Sequence, residues 1–229
     1  MIERVLEPEA MDSPAEAREY DLMDHVSVNA AFVADLLAAA ARAGRSPSRT
    51  GFVLDVGTGT ARIPIVLCGE VAACKVVGID LAHEMLLVGS RNVAEAAFTS
   101  RIALLRARVG ALPFRDAAVP IVVSNSLIHH LPDPAAALKD VCRVVAPGGV
   151  VFIRDLFRPR SRMELDRLVS IHAAGATASQ RQLLADSLHA ALTVSEAREI
   201  VATLPFSTAS VEATSDRHWT LVATRAGTT

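Results

Sequence analysis

No uninterrupted apolar run in this chain approaches the roughly 20 residues needed to cross a bilayer, although 51% of its 229 residues are hydrophobic. The stretch Met1 to Glu9 alternates in charge around no apolar core, so it does not read as a signal peptide. Neither sign of charge is in excess: 23 Lys and Arg stand against 25 Asp and Glu, for a formal net charge of −2. Binding a phosphate backbone needs a basic footprint. DNA and RNA are therefore not expected partners, even though Arg154, Arg158, Arg160, Arg162 and Arg167 gather in one stretch. Cysteine is sparse as well. Cys68, Cys74 and Cys142 make an odd set with no Cys-x-x-Cys pair, which favours buried thiols in a reducing compartment over a disulfide framework. No metal site is expected, and internal repeats and low-complexity segments are absent. A cytoplasmic protein without a membrane span is expected, and nothing in the chain sets its oligomeric state.

What is present is an alternation of short apolar runs with amphipathic helical stretches. Ser13-Pro14-Ala15-Glu16 has the form of a capping box with proline at the first helical position, so a short helix is expected to about His25. Phe32, Val33, Leu36, Leu37 and Ala40 give a second helix, closed by the loop Gly44 to Thr50. Strands are expected at Phe52–Val56, Lys75–Ile79, Ile102–Arg106, Val119–Val123 and Val150–Ile153. Helices are expected over Ala61–Leu67, His83–Phe98 and from Asp133 to Val145. Pro64 is tolerable only in its helix's first turn. Such βαβ units imply a mostly parallel sheet covered on both faces. Helices then follow at Arg162–Ala173 and Gln180–Leu192, and from the capping box Thr193-Val194-Ser195-Glu196 to about Thr203. Ser207–Ala213 and His218–Thr224 read as a final antiparallel pair.

The chemistry gathers after the first strand, in Val53-Leu54-Asp55-Val56-Gly57-Thr58-Gly59-Thr60. Glycines there let the backbone approach a ligand and aim helix N–H groups at it, at the strand ends where doubly wound sheets bind ligands. A tight turn without a ligand fits a lone Gly-x-Gly about as well. A dinucleotide fold would want a third glycine, where Arg62 stands. Asp80, closing the second strand, weighs against the bare turn, because an acidic residue there can accept both hydroxyls of a ribose.

These residues, with Gly78-Ile79-Asp80 and Met85, Ala111-Leu112-Pro113-Phe114, Ser124 through Asp133, and Arg143 through Gly149, resemble class I S-adenosylmethionine-dependent methyltransferases. The nearest branch holds the ubiquinone/menaquinone-type and other small-molecule methylases, and the likeness covers about Phe52 to Asp155. It implies a Rossmann-like, doubly wound α/β sheet of seven strands, mostly parallel with an antiparallel last strand. N-terminal helices over 1–50 would form a lid, 51–155 the cofactor-binding core, 156–205 a helical cap, and 206–229 the last two strands, all in a single domain. The cofactor would be S-adenosyl-L-methionine, leaving as S-adenosyl-L-homocysteine. Gly57, Thr58 and Gly59 would meet its methionine part, Asp55 its amino group, Asp80 its ribose, Leu81 and Met85 its adenine. Ser124 and Asn125 would face the reactive methyl. Where the family usually carries an Asp for the adenine amino group, this chain has Arg108, which cannot accept that bond. Val119-Pro120 replaces the familiar Phe-Asp.

The expected acceptor is a small molecule. His129, His130 and Asp155 are candidates for proton transfer, while tandem histidines at a helix start and an Asp paired with Arg154 are the structural alternatives. Tyr20, His130, Arg154 and His189 are candidates for holding the acceptor. Methylation of RNA or protein is the rival reading, but it would want a basic cleft or peptide groove, and Ser124-Asn125-Ser126-Leu127 is not the Asn/Asp-Pro-Pro-Tyr/Phe signature of many base-amino methylases. A non-catalytic S-adenosylmethionine-binding protein is a third reading, consistent with Arg108.

Overall fold

In a computed structural model, which describes residues 2–7, 12–23, 25–49 and 51–227, the apolar runs pair into one seven-stranded sheet. Met1 and Glu9, which bound the charged N-terminal stretch, and the loop residue Thr50 lie outside those residues. The strands are β1 (Val53–Val56), β2 (Val76–Asp80), β3 (Ile102–Arg106), β4 (Val119–Asn125), β5 (Val145–Leu156), β6 (Phe206–Ala213) and β7 (His218–Arg225). Their order is β3-β2-β1-β4-β5-β7-β6. All pairs are parallel except β5 with β7 and β6 with β7. The helices are α1 (Pro14–Asp21), α2 (Val26–Arg42), α3 (Arg62–Glu70), α4 (His83–Glu95), α5 (Pro134–Val144), α6 (Arg162–His172), α7 (Ala178–Ala190) and α8 (Val194–Ala202), with a 3-10 turn at Ile128–His130. Among the described residues, no single helix is long and apolar enough to cross a membrane.

Successive strand residues point to opposite faces, and both faces are covered. Leu54, Val122, Val151 and Leu221 pack with Leu138 and Val141 of α5 and Ala197 and Val201 of α8. Val53, Ile121, Val123 and Phe152 pack with Phe32 and Leu36 of α2 and Leu67 of α3. Burial on both sides explains why these strands are continuous apolar runs rather than alternating ones. Strand order reverses between β1 and β4, so a crevice opens at their carboxyl ends.

Several boundaries differ from expectation, and at two of them the reason is visible. Strand β5 begins at Val145, not Val150: Val119 pairs with Val145 and Ile121 with Val150, so residues 146–149 bulge from the ladder opposite Pro120 alone. Gly148 takes φ +66° in that bulge. Arg45 holds it, with Nε donating to the Gly148 carbonyl at 2.9 Å and Nη2 to that of Pro147 at 3.0 Å. Pro147-Gly148-Gly149 thus redirects a strand as well as ending a helix. Helix α7 starts at Ala178 because Thr177 caps it and Gln180 completes a capping box.

The capping box expected at Thr193 is present. Its hydroxyl accepts from Glu196 N at 3.2 Å, and its own N–H donates to Glu196 Oε2 at 2.8 Å. Thr193→Ala is expected to lower the unfolding free energy by about 1 to 2 kcal/mol, measured by urea denaturation; an unchanged midpoint would show that water replaces the cap at no cost.

Candidate cofactor and acceptor site

The glycine turn leaves β1 sharply. Gly57 sits at φ +76° and Gly59 at φ +53°, a region that costs any residue with a Cβ. A Cβ at Gly57 would also meet three Leu127 side-chain atoms at 3.0 Å, so leucine from the β4 end walls the turn. Gly57 N and Thr58 N both donate to the Ile79 carbonyl at 2.9 Å, tying the turn to β2. The Asp80 carboxylate completes the link: Oδ2 accepts from Gly59 N at 2.8 Å and Oδ1 from Ala82 N at 2.9 Å. Burial raises the Asp80 pKa above the usual range, and those backbone N–H groups offset only part of the rise.

Asp55 is the unusual member. It is 2% exposed, and neither oxygen has a hydrogen-bond partner among the described residues; the same holds for the Thr58 hydroxyl. Burial pushes the Asp55 carboxyl up to about 7, with the Asp80 charge adding to the rise and the nearby Thr58 hydroxyl easing it only in part. A buried carboxylate left without a donor is expensive. A cationic donor from outside the chain is what this position lacks.

Beside it, the Ser124 hydroxyl donates to the Val56 carbonyl at 2.7 Å, fixing the β4 end against β1. Asn125 lies at the end of β4, registered with Arg154. Tyr20 stands over the second glycine, its Cε1 about 4.0 Å from where a Gly59 Cβ would be. Met85 is buried with Ala17, Ala82 and Val88 against Tyr20, whereas Leu81 is half exposed. Helix α1 is held there by a bidentate pair: Arg62 Nε donates to Asp21 Oδ1 at 2.8 Å and Nη2 to Oδ2 at 2.6 Å. The residue that replaces a dinucleotide fold's third glycine therefore straps the N-terminal helix across the turn. A cavity of about 290 Å³ lies between α1 and α7, lined in part by Glu16, Glu19, Tyr20, Met23, Leu183 and Asp186.

The tandem histidines divide their tasks. His129 is 3% exposed, and its Nδ1 lies 2.5 Å from Asp155 Oδ1. Asp155 also accepts from Ile128 N at 2.5 Å and Leu156 N at 2.6 Å. Burial opposes charge on both groups, but their mutual attraction outweighs it, raising His129 and lowering Asp155. His130 is more open and pairs through Nδ1 with Glu7 Oε2. The Glu7 Oε1 atom is held by the Ser187 hydroxyl at 2.6 Å. Arg4 pins the same N-terminal segment by donating to the carbonyls of Ala190, Leu131 and His129.

Arg154 is turned away from this cluster. As the neighbour of Asp155 on one strand, it points to the opposite face, where it donates to Thr220 Oγ1 at 3.0 Å and Asp35 Oδ2 at 2.6 Å and lies near the rings of Phe32 and Phe152. The expected alternatives, a grip on the acceptor or a pair with Asp155, both give way to an anchor for α2. His189 lies in the last turn of α7, where its carbonyl accepts from Val5 N at 3.3 Å; its ring has no hydrogen bond among the described residues. Arg108 is exposed.

Residues 54–153 match the sequence profile of the methyltransferase-domain family. The ubiquinone/menaquinone biosynthesis C-methyltransferase UbiE of Geobacter sulfurreducens is 32% identical over 117 residues, covering 51% of this chain and 46% of that protein. The demethylmenaquinone methyltransferase of Bacillus cereus is 38% identical over 107 residues, covering 46% and 45%. The chain is similar to class I S-adenosylmethionine-dependent methyltransferases over this segment. It spans less than half the length of those two relatives. An S-adenosylmethionine-dependent methyltransferase from Aquifex aeolicus shares the fold over 93% of this chain and 98% of its own, with TM-score 0.66 at 18% identity. Phosphoethanolamine N-methyltransferase 2 of Haemonchus contortus, in complex with phosphomonomethylethanolamine and S-adenosylhomocysteine, does so over 85% of this chain and 52% of its own, with TM-score 0.64 at 17% identity.

The residues this methyltransferase fold holds fit its cofactor. A carboxylate has roughly four acceptor positions; Asp80 uses two on backbone N–H groups, leaving two for a vicinal diol. Asp55 has both oxygens unused, facing the need for a cationic donor. Sequence reasoning missed Glu7, Ser187, Arg4 and the Asp21–Arg62 strap. None of them has a local spacing signal, since each acts on a partner far along the chain.

Proposed function

We propose that this protein transfers the methyl group of S-adenosylmethionine to a small-molecule acceptor held between α1 and α7. The observation that carries the reading is the partnerless buried carboxylate of Asp55 beneath the glycine turn, one strand from the half-used carboxylate of Asp80. When bound, the cofactor supplies a methyl already activated by its sulfonium. The chain's work is positioning: Asp55 takes the ammonium, Asp80 the ribose, Gly57, Thr58 and Gly59 the methionine backbone, and Leu81 an apolar face of the adenine. Met85 acts from beneath, packing the base of that wall against α1. Ser124 fixes the strand end and Asn125 borders the reactive side.

The cavity supports a small acceptor, since its volume of about 290 Å³ suits a compact molecule. Its rim carries Glu16, Glu19 and Asp186 and, among the described residues, no basic one, which favours a neutral or cationic acceptor over an anionic one. The quinone-biosynthesis names of the two sequence relatives also support a small acceptor over a macromolecule. Tyr20 lines both the turn and the cavity and sits where acceptor and cofactor would meet. Where the acceptor atom must lose a proton, His130 with Glu7 is the more open pair that can take it, and the buried His129–Asp155 pair positions that turn.

Calorimetric titration with S-adenosylmethionine and S-adenosylhomocysteine tests the cofactor, with one saturable site per chain expected. A metabolite extract incubated with methyl-labelled cofactor tests the acceptor, with label expected in a low-mass fraction. No binding of either compound removes the reading, and label appearing only in protein or RNA removes its small-molecule part.

A further inference from the structure

Glu7, His129 and His130 each place one ligand atom within 4.8 Å of the other two. We infer that these three residues form a binding site for a divalent transition-metal ion of the zinc type. Two imidazoles and one carboxylate are a donor set that suits zinc, cobalt or nickel better than magnesium or calcium. Beyond proximity, the support around these groups is what distinguishes the cluster. Ligating histidines commonly give their second nitrogen to a carboxylate, which fixes the ring and raises its basicity. The Nδ1 of His129 already has that partner in Asp155 at 2.5 Å, leaving Nε2 as the ring's available nitrogen. Asp155 is itself fixed by Ile128 N and Leu156 N. Glu7 is oriented the same way: Ser187 holds Oε1 at 2.6 Å, and Oε2 is the oxygen turned to His130. Two of the three donors, His129 and Glu7, therefore have their outer partners in place.

Glu7 and Asp155 bring two carboxylates to the site, and Arg4 stands nearby as a guanidinium. Zinc–ligand distances of about 2.0 to 2.2 Å set ligand atoms somewhat over 3 Å apart. The ion thus replaces the direct contact between Glu7 and His130, with shifts of about an ångström. His130 is the most open of the three, so any remaining coordination position faces that side. Bound there, the ion ties segment 2–7 to the 3-10 turn after β4, beside the site proposed for methyl transfer. The inference concerns metal binding and stands whether or not transfer uses the ion.

The test is a titration of tag-free, chelator-stripped protein with Co²⁺, followed by visible absorption, and with Zn²⁺, followed by competition against a chromophoric chelator. One ion per chain is expected. Binding is expected to be lost in Glu7→Gln and in His130→Ala, and Asp155→Asn is expected to weaken it about 10- to 100-fold. Zn²⁺ is expected to raise the Tm of the parent protein and leave that of Glu7→Gln unmoved. Glu7 precedes the first helix, so its glutamine variant keeps a folded control, checked by circular dichroism and by S-adenosylhomocysteine titration on the same samples. No saturable binding by the parent, or equal binding by parent, Glu7→Gln and His130→Ala, overturns the site. The cofactor titration reports separately on the methyltransferase reading, so either can fail alone.

Discussion

Replacing Asp80 with alanine is expected to weaken S-adenosylhomocysteine binding by about 1.5 to 3 kcal/mol, roughly one to two orders of magnitude. The loss has two sources. The carboxylate is assigned the ribose hydroxyls, and charged hydrogen bonds are worth more than neutral ones. It also accepts from Gly59 N and Ala82 N, so its removal takes away one tie between the glycine turn and β2 and leaves the two backbone bonds to the Ile79 carbonyl. Asp80→Asn separates these effects. One amide oxygen can still accept a backbone N–H, but the charge is gone, so an intermediate affinity is expected. Calorimetry on all three proteins reads the series. Equal affinities for the parent and the alanine variant would remove Asp80 from the cofactor site.

Asp55→Asn is expected to move stability and binding in opposite directions. Burial pushes the folded carboxyl up to about 7, far above the ordinary Asp value of about 3.9. Between those values the unfolded chain binds fewer protons than the folded one, so this group makes stability fall as pH rises through that window. A gap of about three units corresponds to something on the order of 4 kcal/mol of lost stability at pH above 7. The other groups facing it, the Asp80 carboxylate and the Tyr20 phenol, do not reverse the sign: the Asp80 charge raises Asp55 further, and the phenol is itself raised, first by burial and then by these carboxylates. The asparagine variant carries no such charge. It is expected to be more stable than the parent at about pH 8 and to differ little at about pH 4. Binding runs the other way. The cofactor's ammonium needs the ionised carboxylate, so parent affinity is expected to decline as pH drops below about 7, while the variant binds weakly throughout. Urea unfolding at both pH values, with calorimetry alongside, reads both effects. A stability difference independent of pH would show that Asp55 titrates as an ordinary exposed carboxyl.

The sheet was legible because burial on both faces writes strands as unbroken apolar runs, and the Val53–Thr60 turn was legible because glycines stand at its two left-handed positions. Capping boxes at Ser13 and Thr193 were legible for the same local reason: donor and acceptor lie three residues apart. What escaped reading is carried over distance. Arg154 looks available beside Asp155 until the fold places Asp35 within 2.6 Å of it. The bulge at 146–149 exists because β4 offers one residue there against four, which no property of Pro147-Gly148-Gly149 announces. Glu7 has no motif at all; it matters because segment 2–7 returns to the 3-10 turn after β4. The Thr177 box was a local signal passed over, its glutamine taken as the start of the helix rather than its third position.

The end of β5 joins the two helical covers of the sheet through a single peptide unit. Arg154 fastens α2 on one side, while Asp155 fastens the histidine turn on the other. A slip of one residue would put Asp155 and Leu156, or Ile153 and Arg154, in the places of Arg154 and Asp155, and would break both attachments at once. Register at this strand tip is therefore policed by charge as well as by hydrophobic contact, and substitutions that loosen one cover have no cheap way of being absorbed by sliding the strand.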